Sequence, residues 1–261
     1  MRKFGFKVFD TNLHNAPDFV RECADYAAQK EDMFAELMIS TEIPLEELSA
    51  FKQILKDVEV RIHAAHSSFG FDVGERKLEK QNRQKFECVQ FAADMFNAQS
   101  IVVHAGCGHG IECIKETMRQ IKLLNDERIV IENLPYFDKS DGYLCGNTAE
   151  EIKYIKENTG CGFCFDFAHA ICAANSLNLD IEKHLKSFLA LNPTVYHLCD
   201  GNLNGPTDEH LHYGEGNYPL KHFLNDYTDD NAYITMETGD LSLHNDLSVK
   251  DYKYLKTLLN D

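Results

Sequence analysis

Histidines and carboxylates recur along this chain at the ends of short apolar runs. His63 closes VEVRIH, His104 closes SIVVH and Glu132 closes RIVIE; Asp166 closes GFCFD, His197 lies within TVYHL and Glu237 closes AYITME. Two further groups stand in connecting segments: His169, three residues after Asp166, and the pair Asp208 and His210 in DEH. Each has an ordinary reading on its own. A strand-end histidine is commonly a hydrogen-bonded structural residue, and Asp166 before FAHAICAA passes as a helix N-cap. Gathered at one mouth, four carboxylates and five imidazoles would be costly, because like charges would crowd a poorly solvated space. Divalent cations remove that cost. A mixed carboxylate–imidazole set suits zinc, and also manganese or iron. The spacing adds detail: Asp166 and His169, one helical turn apart, can bracket two ions, and Asp208 and His210, at i and i+2 in an extended loop, project to one side as a chelating pair.

These residues need a scaffold that brings strand ends together. Strand-like runs occupy residues 3–9, 33–39, 58–63, 100–104, 128–132, 162–166, 194–198 and 232–237. Each is followed by a segment with helical apolar spacing, such as EKQNRQKFECVQFAADMF or GIECIKETMRQIKLL, the latter with a stripe of Ile111, Ile114, Met118 and Ile121. Eight strands alternating with helices predict a (β/α)8 TIM barrel, with residues 1–261 as one domain. Catalytic residues in such barrels lie at the C-terminal ends of the strands, where these ligands fall. A doubly wound open sheet would more often show a glycine-rich turn after its first strand, and FDTNLHN has no glycine.

Composition narrows the function classes. The net charge of −16 and the dispersed Lys and Arg argue against a nucleic-acid partner, although bound cations would offset part of that charge locally. No run approaches the roughly 18 apolar residues of a spanning helix, so no membrane partner is expected. The basic start MRKFGFKVFD lacks the long apolar core of a secretory signal. Nine scattered cysteines suggest a reducing compartment, most simply the cytoplasm. Cys161 and Cys164 form a Cys-x-x-Cys pair that enters a strand. Residues three apart in a strand face opposite ways, so the pair is read as packing cysteines and not as a metal or redox site.

The motifs and their order resemble the endonuclease IV branch of the xylose isomerase-like TIM barrels. GFCFDFAHA is similar to that family's Asp-x-x-His, DEHLHYGEGN to its Asp-x-His followed by Gly-Glu-Gly, and IVVHAG, VIEN and ITMET to its other strand ends, over most of residues 58–240. The resemblance implies a site for up to three zinc-type ions: His63, His104 and Glu132 for one; Glu132, Asp166, His197 and Glu237 for a second; His169, Asp208 and His210 for a third. His66 competes with His63, which is preferred because it ends the strand. The wider superfamily includes sugar and sugar-phosphate isomerases and epimerases, which the chain resembles through Glu132, Asp166, His197 and Glu237 alone. It departs from the DNA-repair enzymes in its acidic loop after the second run and in HAAHSSFGFDVG, which carries little positive charge.

Two activities follow. A multinuclear site suits hydrolysis of a phosphate ester, either abasic-site DNA or a smaller substrate. A single ion flanked by Glu132 and Glu237 as the proton-transfer pair suits isomerisation or epimerisation of a sugar or sugar phosphate. Full occupancy of the ligand positions favours the hydrolase. A barrel that only binds metal or a partner is the third, less favoured reading. His66, His109, His212 and Glu36 are candidate substrate contacts, Tyr213 could line the mouth, and Asp200 could support a ligand histidine or cap a turn.

Overall fold

In the first strand, β1 (Lys3–Phe9), Phe4, Phe6 and Val8 alternate with Gly5, Lys7 and Phe9. Alternate residues of a strand face opposite sides of a sheet, and here the two sides meet different surroundings. Phe4 packs edge-on to Tyr252 of a helix and Phe6 to Tyr26 of another, while Gly5 and Lys7 face the centre. The same alternation runs through β2 (Met33–Ile39), β3 (Val60–Ala64), β4 (Ile101–His104), β5 (Ile129–Glu132), β6 (Gly162–Asp166), β7 (Val195–Leu198) and β8 (Tyr233–Met236).

The computed structural model, which describes residues 1–40, 44–239 and 243–260, closes these eight parallel strands into a barrel in sequence order, β8 pairing with β1. The expected (β/α)8 TIM barrel is the fold. Strand edges differ from expectation by a residue or two: β3 runs on to Ala64, so His63 is its penultimate residue, and Glu237 lies one residue beyond β8. Part of the acidic loop after β2, residues 41–43, lies outside the described residues.

Helices α1 (Pro17–Ala27), α2 (Leu48–Ile54), α3 (Glu79–Phe96), α4 (Gly110–Leu124), α5 (Ala149–Thr159), α6 (Phe167–Leu177), α7 (Ile181–Leu189) and α8 (Asp246–Asn260) cover the outside. Asn97, Asn125 and Asn178 end α3, α4 and α6 in the left-handed conformation, which asparagine tolerates. The crossovers are not uniform. Two helices follow β6, whereas β7 is followed by a long loop that holds only the turn Leu220–His222 and a π turn. The buried face of α4 runs through Cys113, Ile114, Thr117, Gln120, Ile121 and Leu124; Ile111, expected in its stripe, is 50% exposed. Ile111 sits in the first turn, ahead of the helix's contact with the barrel.

Inside the barrel, Val102, Val130, Cys164 and Val195 form a separate apolar layer. Below it the Arg61 guanidinium lies 3.5 Å from the centroid of the Tyr233 ring. A side chain at Gly5 would collide with the Phe34 ring, which fills the space on the neighbouring strand. No helix among the described residues is long and apolar enough to cross a membrane.

Candidate metal centre

The apolar layer positions the polar one. Two residues beyond Val102, Val130, Cys164 and Val195 stand His104, Glu132, Asp166 and His197. A strand repeats its facing every two residues, so all four turn into the barrel mouth. Adjacent strands then bring them level: His104 is in register with Glu132 and Asp166 with His197. His63 and Glu237 join them from β3 and the end of β8, and the loop after β7 brings Asp208 and His210 over His169.

The nine expected ligands fall into three groups whose donor atoms lie within 4.8 Å of one another: His63, His104 and Glu132; Glu132, Asp166, His197 and Glu237; and His169, Asp208 and His210. Glu132 is the hub. Its carboxylate lies 3.3 Å from His63, 3.2 Å from His104, 3.0 Å from His197 and 3.5 Å from His169. Asp166 serves twice: Oδ1 accepts the His169 backbone N–H, capping α6, while its carboxylate belongs to the second group. As Asp166 and His169 fall in different groups, they can bracket two positions.

Hydrogen bonds set the histidine tautomers. Nδ1 of His63 faces the Ala64 carbonyl at 2.6 Å, Nδ1 of His169 the Asn133 carbonyl at 2.9 Å, and Nδ1 of His210 the Glu237 carbonyl at 2.6 Å. A carbonyl only accepts, so each Nδ1 carries the hydrogen and each Nε2 is left for a ligand. His197 is turned the other way, with Nε2 on Glu36 at 3.1 Å and Nδ1 toward Glu132 and Glu237. Such orientation by the far ring nitrogen is how metal-binding imidazoles are held.

Charge crowding tests whether this donor set fits cations. Burial would raise Glu132, but His197 and His104 hold it well below the usual carboxylate range. Burial, opposed by His169 and reinforced by Glu132, Glu237 and Asp208, pushes Asp166 up to about 6. Burial would lower His169 and His197, yet the carboxylates around them hold both well above the ordinary imidazole value. Without ions, the cluster is balanced by protons borrowed onto its imidazoles and by the Lys7 ammonium beside Glu237. Carboxylates and imidazoles at these spacings fit zinc, manganese or iron.

A family profile described as xylose isomerase-like TIM barrel matches residues 3–258. The chain belongs to this family. No curated protein matches the sequence. Among solved structures, a D-tagatose 3-epimerase-like protein superimposes with a TM-score of 0.72 at 19% identity, covering 99% of this chain and 97% of that one. Endonuclease IV from Thermus thermophilus superimposes with a TM-score of 0.69 at 18% identity, covering 99% of each chain. The 3-keto-D-glucoside 4-epimerase YcjR from E. coli gives 0.65 at 15% identity, covering 98% of this chain and 100% of that one. At these identities the likeness is one of fold.

In this xylose isomerase-like barrel a cavity of about 240 Å³ opens over the ligands, lined by Lys7, His63, His104, His169, Asp208, His210 and Glu237. His66 lines it too, stacked on His104 at 5.4 Å and pushed down to about 3 by burial and by His104 and His63. The other three expected contacts stand elsewhere. His109 is exposed ahead of α4, against Tyr143. His212 bonds Asp251 of α8 at 2.7 Å and lines a neighbouring cavity of about 270 Å³. Glu36 is fully buried beneath the ligands, bonded to Lys7, His197 and Thr235, and has no oxygen left facing substrate.

Other expectations also change. Tyr213 is buried, not at the mouth, and its hydroxyl donates to the Leu198 carbonyl. Of the two readings of Asp200, the turn cap is the one its bonds match: its two oxygens accept four backbone N–H groups, from Gly201, Gly214, Gly216 and Tyr218. The Asp208–His210 segment is not extended, since His210 has φ 49°. That left-handed turn swings its ring back to Asp208, at 2.5 Å. Cys161 is half-buried at the foot of β6 and Cys164 faces the interior, so the two do not share a site; Cys164 does lie within reach of Glu132 and His197.

Two residues escaped the sequence reading. Asn133, fully buried, bonds both the N–H and the carbonyl of Asp166 with its side chain and locks β5 to β6 at the rim. Lys7 places its ammonium 2.7 Å from Glu36 and 2.5 Å from Glu237. Burial would lower its pKa, but Glu237, Glu36 and Glu132 keep it above the ordinary value. The clue was present: Lys7 stands at an inward position of an alternating apolar strand.

Proposed function

We propose that this protein is a divalent-metal-dependent hydrolase of a small phosphate ester. The observation that carries the reading is that nine candidate ligands fall into three neighbouring groups, two sharing Glu132 and the third approaching it through His169 at 3.5 Å. One ion for proton transfer would occupy the second group only and leave His63, His104, His169, Asp208 and His210 without a use. Bound divalent cations supply Lewis-acid polarisation of a phosphoryl oxygen and make water a better nucleophile near neutral pH. The chain contributes placement: Glu132 orients the donors around it, Lys7 and Glu237 face the cavity from below, and His66 closes one wall. Asp72, Asp138 and Asp141 add carboxylates to the outer lining. With a cavity of about 240 Å³ and a net charge of −16, a compact ester suits the site better than duplex DNA. All nine cysteines are free, in keeping with a reducing, cytoplasmic setting.

Elemental analysis of the purified protein together with turnover of a small phosphate ester tests the reading. About three ions per chain, and loss of hydrolysis in His104→Ala, are expected. One ion per chain with His104→Ala fully active would sink it. Nicking of an abasic-site duplex at low and physiological salt decides whether DNA is also a substrate.

A second reading is favoured by one observation: the Glu132 and Glu237 carboxylates converge on His197 Nδ1, at 3.0 and 3.3 Å. Two carboxylates so placed could shuttle a proton in a sugar or sugar-phosphate isomerase or epimerase. Incorporation of deuterium from D2O into a sugar, with one ion per chain, would favour it over the hydrolase.

A further inference from the structure

A fourth ion-sized group lies beneath the three already described. Glu36, His63, His197 and Glu237 bring donor atoms within 4.8 Å of one another, the same closeness as the outer groups. It shares His63 with the first outer group and His197 and Glu237 with the second. An ion here would therefore draw three donors away from the positions above.

A cation already stands at this place. Lys7 and Glu36 are register partners on β1 and β2, both facing the barrel interior. The Lys7 ammonium lies 2.7 Å from Glu36 Oε1 and 2.5 Å from Glu237 Oε1, the spacing of charge-assisted hydrogen bonds. The other Glu36 oxygen bonds His197 Nε2 at 3.1 Å and Thr235 Oγ1 at 2.8 Å, so nothing in the carboxylate is left unsatisfied.

We propose that Lys7 is a built-in cation that fills the Glu36–His63–His197–Glu237 position and so confines metal ions to the three outer groups. An ammonium on a covalent tether neutralises the deepest carboxylates at every metal concentration. It also leaves His197 Nε2 donating to Glu36, which keeps Nδ1 turned to the outer ion. The inference concerns the arrangement of ions and not the reaction, so it stands whether the protein is a hydrolase or an epimerase.

Anomalous scattering from crystals equilibrated with excess zinc reads this directly. Wild type should show no peak between Glu36 and Glu237. Lys7→Met and Lys7→Gln should each gain a peak there, about 2.0–2.2 Å from a Glu36 oxygen. The double variant Lys7→Met/Glu36→Gln should lose it again, because the position then lacks its anchoring carboxylate. A zinc peak at this place in wild type, with Lys7 displaced, overturns the proposal even if the variants do not fold. Absence of the peak in the folded single variants overturns it too, whatever the outer positions hold. Failure of the hydrolase reading is separate: it would appear as missing outer peaks in wild type.

Discussion

Replacing Asp200 removes a carboxylate that holds a loop by its backbone. Oδ1 accepts from Gly201 and Tyr218 N–H at 2.9 and 3.1 Å, and Oδ2 from Gly214 and Gly216 N–H at 2.9 and 3.1 Å. The Gly201 and Tyr218 bonds are buried, whereas those to Gly214 and Gly216 are only partly so. In Asp200→Ala the outer two N–H groups can regain water, but the inner two cannot. Hydrogen bonds to a charged group contribute roughly 1.5–3 kcal/mol each, so two lost without replacement cost about 4 kcal/mol. In a chain of this size that corresponds to a Tm lower by roughly 8–16 °C. Asp200→Asn should lose about half as much, since its amide keeps one accepting oxygen but turns an NH2 toward two donors. Asp200 also pairs through its own backbone with Leu211, the residue after His210. Loosening it should weaken the ion at His169, Asp208 and His210 by about tenfold, in line with other partners that orient ligands. Thermal unfolding of the metal-free proteins and zinc titration of the folded ones measure both effects. If Asp200→Ala and Asp200→Asn both unfold within about 0.5 kcal/mol of wild type, the four-amide anchor is not what holds this loop.

Three further outcomes are expected. A side chain at Gly216 would overlap Asp200 Oδ1 and the Gly201 backbone, so Gly216→Ala should destabilise by a similar amount; a neutral effect in urea unfolding would contradict the close approach. Free manganese, which the unfolded chain's thiols and imidazoles hold weakly, should at 100 times its Kd add up to about 2.7 kcal/mol per site, read as a rise in Tm that EDTA reverses. In the metal-free protein, burial lowers His210 but Asp208 raises it further, to about 10. The folded state therefore holds this proton more tightly than the unfolded one. Its stabilisation is complete below pH ~6.5 and fades as pH rises through about 10, a slope shared with His169 and His197 that His210→Gln should reduce in Tm measured against pH.

The barrel was legible because its determinants are local. Apolar runs of strand length alternate with amphipathic segments, and α3 and α4 span the residues their sequences suggest, Glu79–Phe96 and Gly110–Leu124. The gathering of the candidate ligands was legible because a strand-end His, Asp or Glu in a barrel has one place to go, the rim. The segment after β7 was not: it forms short turns instead of a full helix, and its shape rests on Asp200 binding amides up to 18 residues away. Glu36 looked available to substrate because sequence shows neither Lys7 across the strand pair nor His197, 161 residues distant. His210 looked extended because a left-handed histidine leaves no mark in composition. Cysteines drew attention by their spacing, yet facing decides their fate, and only Cys164 turns inward.

The same histidines explain how the rim can be rigid before any ion arrives. A barrel strand ends with carbonyls that have no further ladder partner, and buried unpaired carbonyls are unfavourable. Ala64 is the last residue of β3, while Asn133 and Glu237 lie one past the ends of β5 and β8. Their carbonyls are the three that accept from His63, His169 and His210. One hydrogen bond thus completes the strand end, fixes the ring's tautomer and aims Nε2 at a carboxylate-lined position. Asn133 extends the arrangement by bonding both backbone groups of Asp166. Replacing any of these histidines with glutamine would offer the carbonyl a donor but could not at the same time present a ligand nitrogen along the former Nε2 direction. The imidazole suits these positions through its two nitrogens on opposite sides of one rigid ring, one bonded to the fold and one open to an ion.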